Sequence, residues 1–188
     1  MLKRLQRRWR SLLLGGVGIL CLGLASLGFS LSLRWSLLRT LLSWEFSDIP
    51  TITTKALSQQ LAQPPSVRPV LLDVREVDEY SISHLPGAHH IPPKTSMEEL
   101  TKRFQAHQTI VVYCSVGYRS SILARRMKEA GFQQVSNLEG SIFQWANEGR
   151  PLEGKGQALL KVHPFDQLWG IFLKTGLHAP LPSKQSKP

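Results

Sequence analysis

The stretch VVYCSVGYRSS, residues 111–121, combines the end of a buried strand, a turn and the start of a helix. The segment TIVVYC (109–114) is β-branched and apolar without helical spacing, which predicts a strand buried in a sheet. Helical spacing of apolar residues covers 120–130, and Gly131 is a typical residue just beyond a helix end. Cys114 therefore lies at the carboxyl end of a predicted strand, directly before a short loop.

Strands and helices alternate through the central part of the chain. Further strands are predicted at 69–75 and 134–138, and 84–92 is predicted as a loop because of its Pro and Gly residues. The predicted helices run from Thr53 or Thr54 to Leu61, from Ser96 to about Phe104, over 120–130, and from about Ser141 to Glu148. This alternation predicts an α/β domain with a mostly parallel sheet and helices on both faces.

The loop after Cys114 has the features of an anion site. Ligands of such sheets bind beyond the carboxyl ends of the strands. Gly117 permits a backbone angle that lets the loop amides converge on one point. These amides, the following helix N-terminus and Arg119 favour an anion, and they favour the thiolate over the thiol. We therefore predict a Cys114 nucleophile with a pKa below that of a free thiol; the alternative is a buried cysteine that only fills space.

Four stretches occur together in the order LLDVREVDEY (71–80), HLPGAHHIP (84–92), VVYCSVGYRSSILA (111–124) and LEGSIFQWANEGRPL (138–152). In this combination the chain resembles a single-domain rhodanese, the thiosulfate sulfurtransferase family. The resemblance covers about residues 48–152, and we place the domain at 49–152. It leaves out the N-terminal run and the last 36 residues.

The resemblance implies a rhodanese-like three-layer fold, with a central parallel sheet wrapped by helices. It implies that Cys114 takes sulfane sulfur from a small anionic donor such as thiosulfate and passes it, as a persulfide, to a thiol or cyanide acceptor. Arg119 would hold the donor. The other implied substrate-binding residues are Ser115, Val116, Gly117, Tyr118 and Ser120. No cofactor or metal is expected.

Residues outside the cysteine loop have implied supporting roles. Asp73 and Arg75 would brace the loop, whereas His84 is structural in this pattern. Two positions depart from the family pattern: Ser83 stands where glycine often precedes the histidine, and Ser141 stands where a second glycine is common. These departures leave the expected fold unchanged.

Three other functions compete with sulfur transfer. Phosphatase or arsenate reductase chemistry is disfavoured because only four residues separate Cys114 from Arg119, one fewer than in tyrosine phosphatases. A membrane-tethered binding module without turnover would not need a thiolate in an anion site. A redox relay lacks a second nearby cysteine that could resolve an oxidised Cys114.

The net charge of +10 is concentrated at the two ends of the chain. Residues 1–44 carry seven basic and no acidic residues, whereas 45–150 carry eleven of each sign. Because a nucleic-acid-binding domain needs a basic face, we expect no nucleic-acid partner. Cys21 and Cys114 are the two cysteines, too few for a disulfide framework.

The N-terminal region predicts a membrane anchor. Residues 12–33 form an uncharged run of 22 residues, which is long enough to cross a bilayer as a helix. The basic flank at 1–11 places the N-terminus in the cytoplasm and the domain on the other side, and Trp35 would lie at a membrane interface. A cleaved signal peptide and a core helix are the alternatives. Residues 34–48 are interpreted as a juxtamembrane linker suited to an anionic lipid surface.

The C-terminal extension, 153–188, contains a second apolar pattern. Phe165, Leu168, Trp169 and Phe172 have the spacing of one face of a helix. This amphipathic helix could pack on the domain, lie in a membrane interface or bind a partner. The final segment PSKQSKP is predicted to be disordered.

Overall fold

The computed structural model describes residues 30–154 and 161–180. The helices in chain order are α1 (Leu31–Glu45), α2 (Thr54–Leu61), α3 (Val77–Ile82), α4 (Met97–Arg103), α5 (Tyr118–Glu129), α6 (Ser141–Asn147) and α7 (Gln167–Gly170). The strands are β1 (Thr51–Ile52), β2 (Val70–Asp73), β3 (His89–His90), β4 (Thr109–Tyr113) and β5 (Gln134–Leu138). Short 3-10 helices span Pro65–Val67 and Thr175–Leu177.

The strands form one parallel sheet in the order β1-β5-β4-β2-β3. The predicted α/β class with a central parallel sheet is confirmed. Both edge strands were missed, because each has only two residues and shows no apolar run or alternation. His89 and His90 of β3 lie inside the stretch predicted as a loop.

Apolar side chains cover both faces of the sheet. Val111 and Val112 follow each other in β4 and belong to two separate clusters of buried side chains, because successive residues of a strand point to opposite faces. Trp145 of α6 packs in the first cluster and Met127 of α5 in the second. Full burial of a large apolar side chain contributes about 1.5–3 kcal/mol, so the two layers hold β4 firmly in the centre.

Helix α1 replaces the predicted linker. Trp35 is only 3% exposed and makes an edge contact with Phe172 at 5.2 Å between ring centroids. Arg34 Nη1 donates to the carbonyl oxygen of Ile171 at 3.1 Å. The predictions of a linker at 34–48 and of Trp35 at a membrane interface are therefore wrong: the helix packs on the domain, because its inner face has apolar partners there.

The structure also changes the C-terminal boundary of the predicted membrane span. Ser30 has extended backbone angles and caps α1, so residues 31–33 belong to the first turn of that helix. Residues 12–29 of the predicted span lie outside the described residues. Within 30–154 and 161–180, no helix combines the length and apolar character needed to cross a membrane.

The C-terminal segment packs on the domain, as the first of the three alternatives states. Phe172 and Leu173 are buried, and Asn147 Nδ2 donates to the carbonyl oxygen of Phe172 at 2.8 Å. The predicted amphipathic helix is limited to the four residues of α7, and the Asp166 side chain caps its start by accepting from Trp169 N. Phe165 precedes this cap and is not helical. The predicted disordered tail lies outside the described residues.

Candidate active site

Cys114 directly follows β4 and is 1% exposed. The Gly117 amide donates to Cys114 Sγ at 3.1 Å. Gly117 has a φ of 112°, which side-chain-bearing residues rarely adopt, and this angle turns its amide towards the sulfur. The loop thus folds back over the thiol before α5 begins at Tyr118, two residues earlier than predicted.

The start of α6 holds the other side of the loop. The amide of Ile142 donates to the carbonyl oxygen of Cys114 at 3.2 Å, and the amide of Phe143 donates to that of Ser115 at 3.1 Å. The Cys114 amide donates to Ser141 Oγ at 3.2 Å. These bonds tie the carbonyl groups of Cys114 and Ser115 to α6, and the Gly117 amide faces the thiol.

Ser141 occupies a backbone conformation that explains the glycine common at this position. Its φ is 49°, in the left-handed region, where a side chain causes strain. The hydroxyl offsets this strain by accepting from the Cys114 amide and donating to the carbonyl oxygen of Leu138 at 3.1 Å. The departure from the family pattern therefore adds a direct support to the cysteine loop.

Glu79 is the principal residue that the sequence analysis missed. Its carboxylate accepts two hydrogen bonds from Arg119, at 2.7 and 2.8 Å, and one from Ser115 Oγ at 3.0 Å. Burial acts to raise the pKa of Glu79, but the hydrogen bonds and charge of Arg119 lower it overall. The carboxylate in turn raises the pKa of Arg119 against the effect of burial. The sequence signal that could have identified Glu79 was its position within the motif LLDVREVDEY (71–80).

This ion pair changes the expected role of Arg119. Arg119 was predicted to hold the donor, but its Nη1 and Nη2 atoms are already paired with the Glu79 carboxylate, which is 2% exposed. Arg119 also donates to Ser115 Oγ at 2.9 Å, so it braces the loop from inside. Its positive charge still acts on the thiol of Cys114.

The surroundings of Cys114 favour the thiolate. Burial acts to raise the pKa of Cys114, but the charge of Arg119 and hydrogen bonds from Ser120 and Gly117 lower it overall. Ser120 Oγ is buried and makes no hydrogen bond within the described residues, so its hydroxyl is free to turn towards the sulfur. Charge-assisted bonds of this kind make a buried cysteine more nucleophilic.

Among the predicted substrate-binding residues, Val116 directs its side chain into the protein, and Tyr118 is partly buried against the core. Val116 is 4% exposed and packs in a core cluster. Tyr118 makes an edge contact with Phe46 at 5.5 Å between ring centroids. These two residues can therefore contribute to a ligand site through their backbone.

Asp73 and Arg75 support a different loop. They form a fully buried ion pair at 2.7 Å, and Arg75 Nη2 donates to the carbonyl oxygen of Ser83 at 2.6 Å. Glu79, rather than this pair, makes the direct contacts with Ser115 and Arg119. His84 Nδ1 lies 3.0 Å from the carbonyl oxygen of Tyr80, a structural position.

The C-terminal segment reaches the site through Phe165. The Arg119 Cζ atom lies 4.7 Å from the centroid of the Phe165 ring, so the ring covers one face of the guanidinium. Phe165 has a φ of 68°, and its amide donates to His163 Nδ1 at 2.9 Å. Burial lowers the pKa of His163, which keeps Nδ1 available as an acceptor.

Ser83 attaches the same segment to the domain. It is fully buried, and its Oγ donates to the carbonyl oxygen of Lys161 at 2.6 Å. Glycine, which is common at this position in the family that the chain resembles, has no hydroxyl for this bond. Ser83 therefore helps to hold the segment that carries Phe165.

Comparison with known proteins identifies the family. Residues 53–148, just over half of the chain, match the Rhodanese-like domain. The chain therefore belongs to the rhodanese-like domain family, in agreement with the resemblance seen in the four motifs.

Two curated relatives and one solved structure illustrate the similarity. YrkF of Bacillus subtilis (strain 168), named as a sulfur carrier protein, is 34% identical over 102 residues, 54% of each chain. MoeZ of Mycobacterium tuberculosis, named as an adenylyltransferase/sulfurtransferase, is 40% identical over 83 residues, 43% of this chain and 21% of MoeZ. The chain thus spans about half or less of these relatives. The rhodanese-like domain of Anabaena Alr3790 is 27% identical, with a TM-score of 0.51 over 56% of this chain and 79% of that chain.

Proposed function

We propose that the chain is a sulfurtransferase that carries sulfane sulfur as a persulfide on Cys114. The observation that carries this proposal is a buried thiol with a lowered pKa that accepts from the Gly117 amide and lies close to Arg119. Such a site stabilises a sulfur anion without a separate base. The names of the sulfur-carrying relatives support the same chemistry.

The proposed first step loads the sulfur. The Cys114 thiolate attacks the outer sulfur of a donor such as thiosulfate, the donor's S–S bond breaks, and its electron pair leaves with sulfite. The product is a Cys114 persulfide whose terminal sulfur carries the negative charge. Loop amides and the Ser120 hydroxyl stabilise that charge.

The second proposed step transfers the outer sulfur of the persulfide to an acceptor. An acceptor thiolate, or cyanide, attacks the terminal sulfur, the persulfide bond breaks, and its electron pair returns to Cys114 Sγ. Arg119 acts here as a positioning residue, because Glu79 and Ser115 hold its guanidinium beside the loop.

We also propose that the chain is anchored in a membrane through residues 12–29, with the domain on the non-cytoplasmic side. These 18 uncharged residues would span about 27 Å as a helix, close to the thickness of a hydrocarbon core. Carbonate extraction of membranes tests the anchor, and release of the chain into the supernatant would contradict it.

Intact-mass spectrometry of the full chain in detergent tests the sulfur chemistry. After incubation with thiosulfate we expect a gain of one sulfur atom that cyanide removes. Cys114→Ser should show no gain, and because it keeps Cys21 it controls for sulfur on the other cysteine. A folded protein that gains no sulfur from thiosulfate or other sulfane donors would instead support a binding module.

A further inference from the structure

A groove of about 190 Å³ lies beside the cysteine loop. Apolar side chains, including Val74, Ile91 and Ile122, line most of it. Thr95 and two arginines, Arg119 and Arg126, complete the lining, and no carboxylate takes part. The groove is therefore mainly apolar, with two cationic side chains in its lining.

The two arginines differ in their charge balance. The charge of Arg119 is compensated by Glu79, at 2.7 Å. On α5, Arg125 is also neutralised, because it pairs with Asp48. Arg126 makes no ion pair with any side chain of the described ranges, so its charge is available to a ligand in the groove.

The apolar walls distinguish between the two substrates of the proposed reaction. Thiosulfate is a small dianion without an apolar part, so it would gain little from Val74, Ile91 or Ile122. An acceptor thiol has a carbon chain that such walls can cover, and burial of that chain favours its binding. Val74 and Ile91 of the groove belong to the same cluster of buried side chains as Cys114. The Val74 amide also donates to the carbonyl oxygen of Tyr113, the residue before Cys114, at 3.0 Å, so the groove lies next to the cysteine.

We propose that this groove binds the sulfur acceptor, and that the acceptor is a small thiol with an apolar stem and a carboxylate or sulfonate. Arg126 pairs with the anionic end, the stem lies on the apolar walls, and the thiolate faces the Cys114 persulfide. The thiolate forms a bond to the terminal sulfur, and the electron pair of the broken S–S bond goes to Cys114 Sγ. This inference rests on the proposed persulfide function.

The test uses the full chain loaded with sulfur and three thiols of similar size: 3-mercaptopropionate, 2-mercaptoethanol and cysteamine. Unloading rates are compared per concentration of thiolate, because the three thiols have different pKa values. We expect a preference for the anionic thiol over the neutral one of about tenfold, which corresponds to about 1.4 kcal/mol, because only the anionic thiol can pair with Arg126. Cysteamine should be the slowest.

Three variants assign the preference to Arg126. Arg126→Gln should abolish the discrimination through KM, and Arg126→Lys should retain part of it. Lys55→Gln removes an equal charge from the exposed surface of α2 and should change nothing. An unchanged preference in Arg126→Gln, or none in the parent protein, would overturn the proposal. Failure of the sulfurtransferase proposal is distinct, because Cys114 would then never load.

Discussion

Single residues set the charge of the Cys114 loop. The carboxylate of Glu79 compensates Arg119, and this limits how far the guanidinium lowers the pKa of Cys114. Gly117 supplies the backbone angle that turns an amide onto the sulfur. Charge and backbone conformation can therefore be changed separately at this scale.

Replacing Glu79 by Gln should lower the pKa of Cys114 further, because Arg119 then keeps its full charge. The rate of iodoacetamide alkylation against pH, in a Cys21→Ala background, measures this shift. We expect a stability loss of about 1–3 kcal/mol, less than for a fully buried pair because the Arg119 side chain is 27% exposed. Glu99→Gln removes an exposed partner of Arg103 and should alter neither quantity.

The same variant should change the acid sensitivity of the fold. The folded-state pKa of Glu79 is lowered, so its stabilising effect is present above the ordinary carboxyl pKa and is lost as pH falls through the lowered value. Urea unfolding from neutral to acidic pH should therefore show a smaller decline in Glu79→Gln than in the parent. An equal decline would mean that the pairing with Arg119 contributes little.

Gly117→Ala should abolish persulfide formation. A Cβ atom at this position would lie 3.3 Å from Asn137 Nδ2, and the alanine would have to adopt a φ of 112°. Gly131→Ala is the control, because its φ of 97° imposes similar strain with no atom within 4 Å. Both variants should lose about 1–2 kcal/mol in urea unfolding, but Gly131→Ala should still gain sulfur in the mass measurement.

At the scale of elements, α6 holds the cysteine loop and α1 forms part of the core. The first turn of α6 binds the carbonyl groups of Cys114 and Ser115. Helix α1 packs behind the domain through Trp35 and Leu38, both buried. A helix that precedes the family domain in sequence is thus part of its core.

Trp35→Ala should destabilise the domain by about 3–5 kcal/mol, because it removes a side chain that is 3% exposed and contacts Phe172. Trp44→Ala makes the same change on the same helix at a position that is 72% exposed, and should cost less than about 0.5 kcal/mol. Denaturant unfolding of both variants measures the difference. Equal, small losses would show that α1 is not packed in solution.

In the whole molecule, the segments before and after the central domain both pack against it. Trp35 of α1 meets Phe172 of the C-terminal segment, and Ser83 holds Lys161. The same segment places Phe165 over Arg119. The candidate site is therefore completed by residues beyond the family match.

Phe165→Ala should lower the second-order rate constant of persulfide formation two- to fivefold. The ring restrains the Arg119 guanidinium, and a partly exposed cation–π contact contributes about 0.5–1 kcal/mol. Phe165→Tyr keeps the ring and should retain the rate. A rate that stays equal or rises in Phe165→Ala would show that the ring only covers the site.

The strongest sequence predictions concern residues whose local pattern is sufficient. Strand β5 has the predicted bounds, and α2 is capped by Thr53, one of the two predicted caps. Cys114 follows a buried strand as expected, because an apolar run and a glycine-containing turn are local signals. The family match confirms the domain class that these patterns indicated.

The missed features depend on contacts between distant parts of the chain. Arg34 and Ile171 are 137 residues apart, so nothing near Arg34 could reveal that α1 packs on the domain. Glu79 lies 40 residues from Arg119, and its charge alone resembles that of any exposed helical glutamate. Local order along the chain was sufficient for the three central strands and the thiol loop. Only the tertiary structure showed that Glu79 pairs with Arg119 and that the Phe165 ring covers it, because both contacts join residues that are far apart in the sequence.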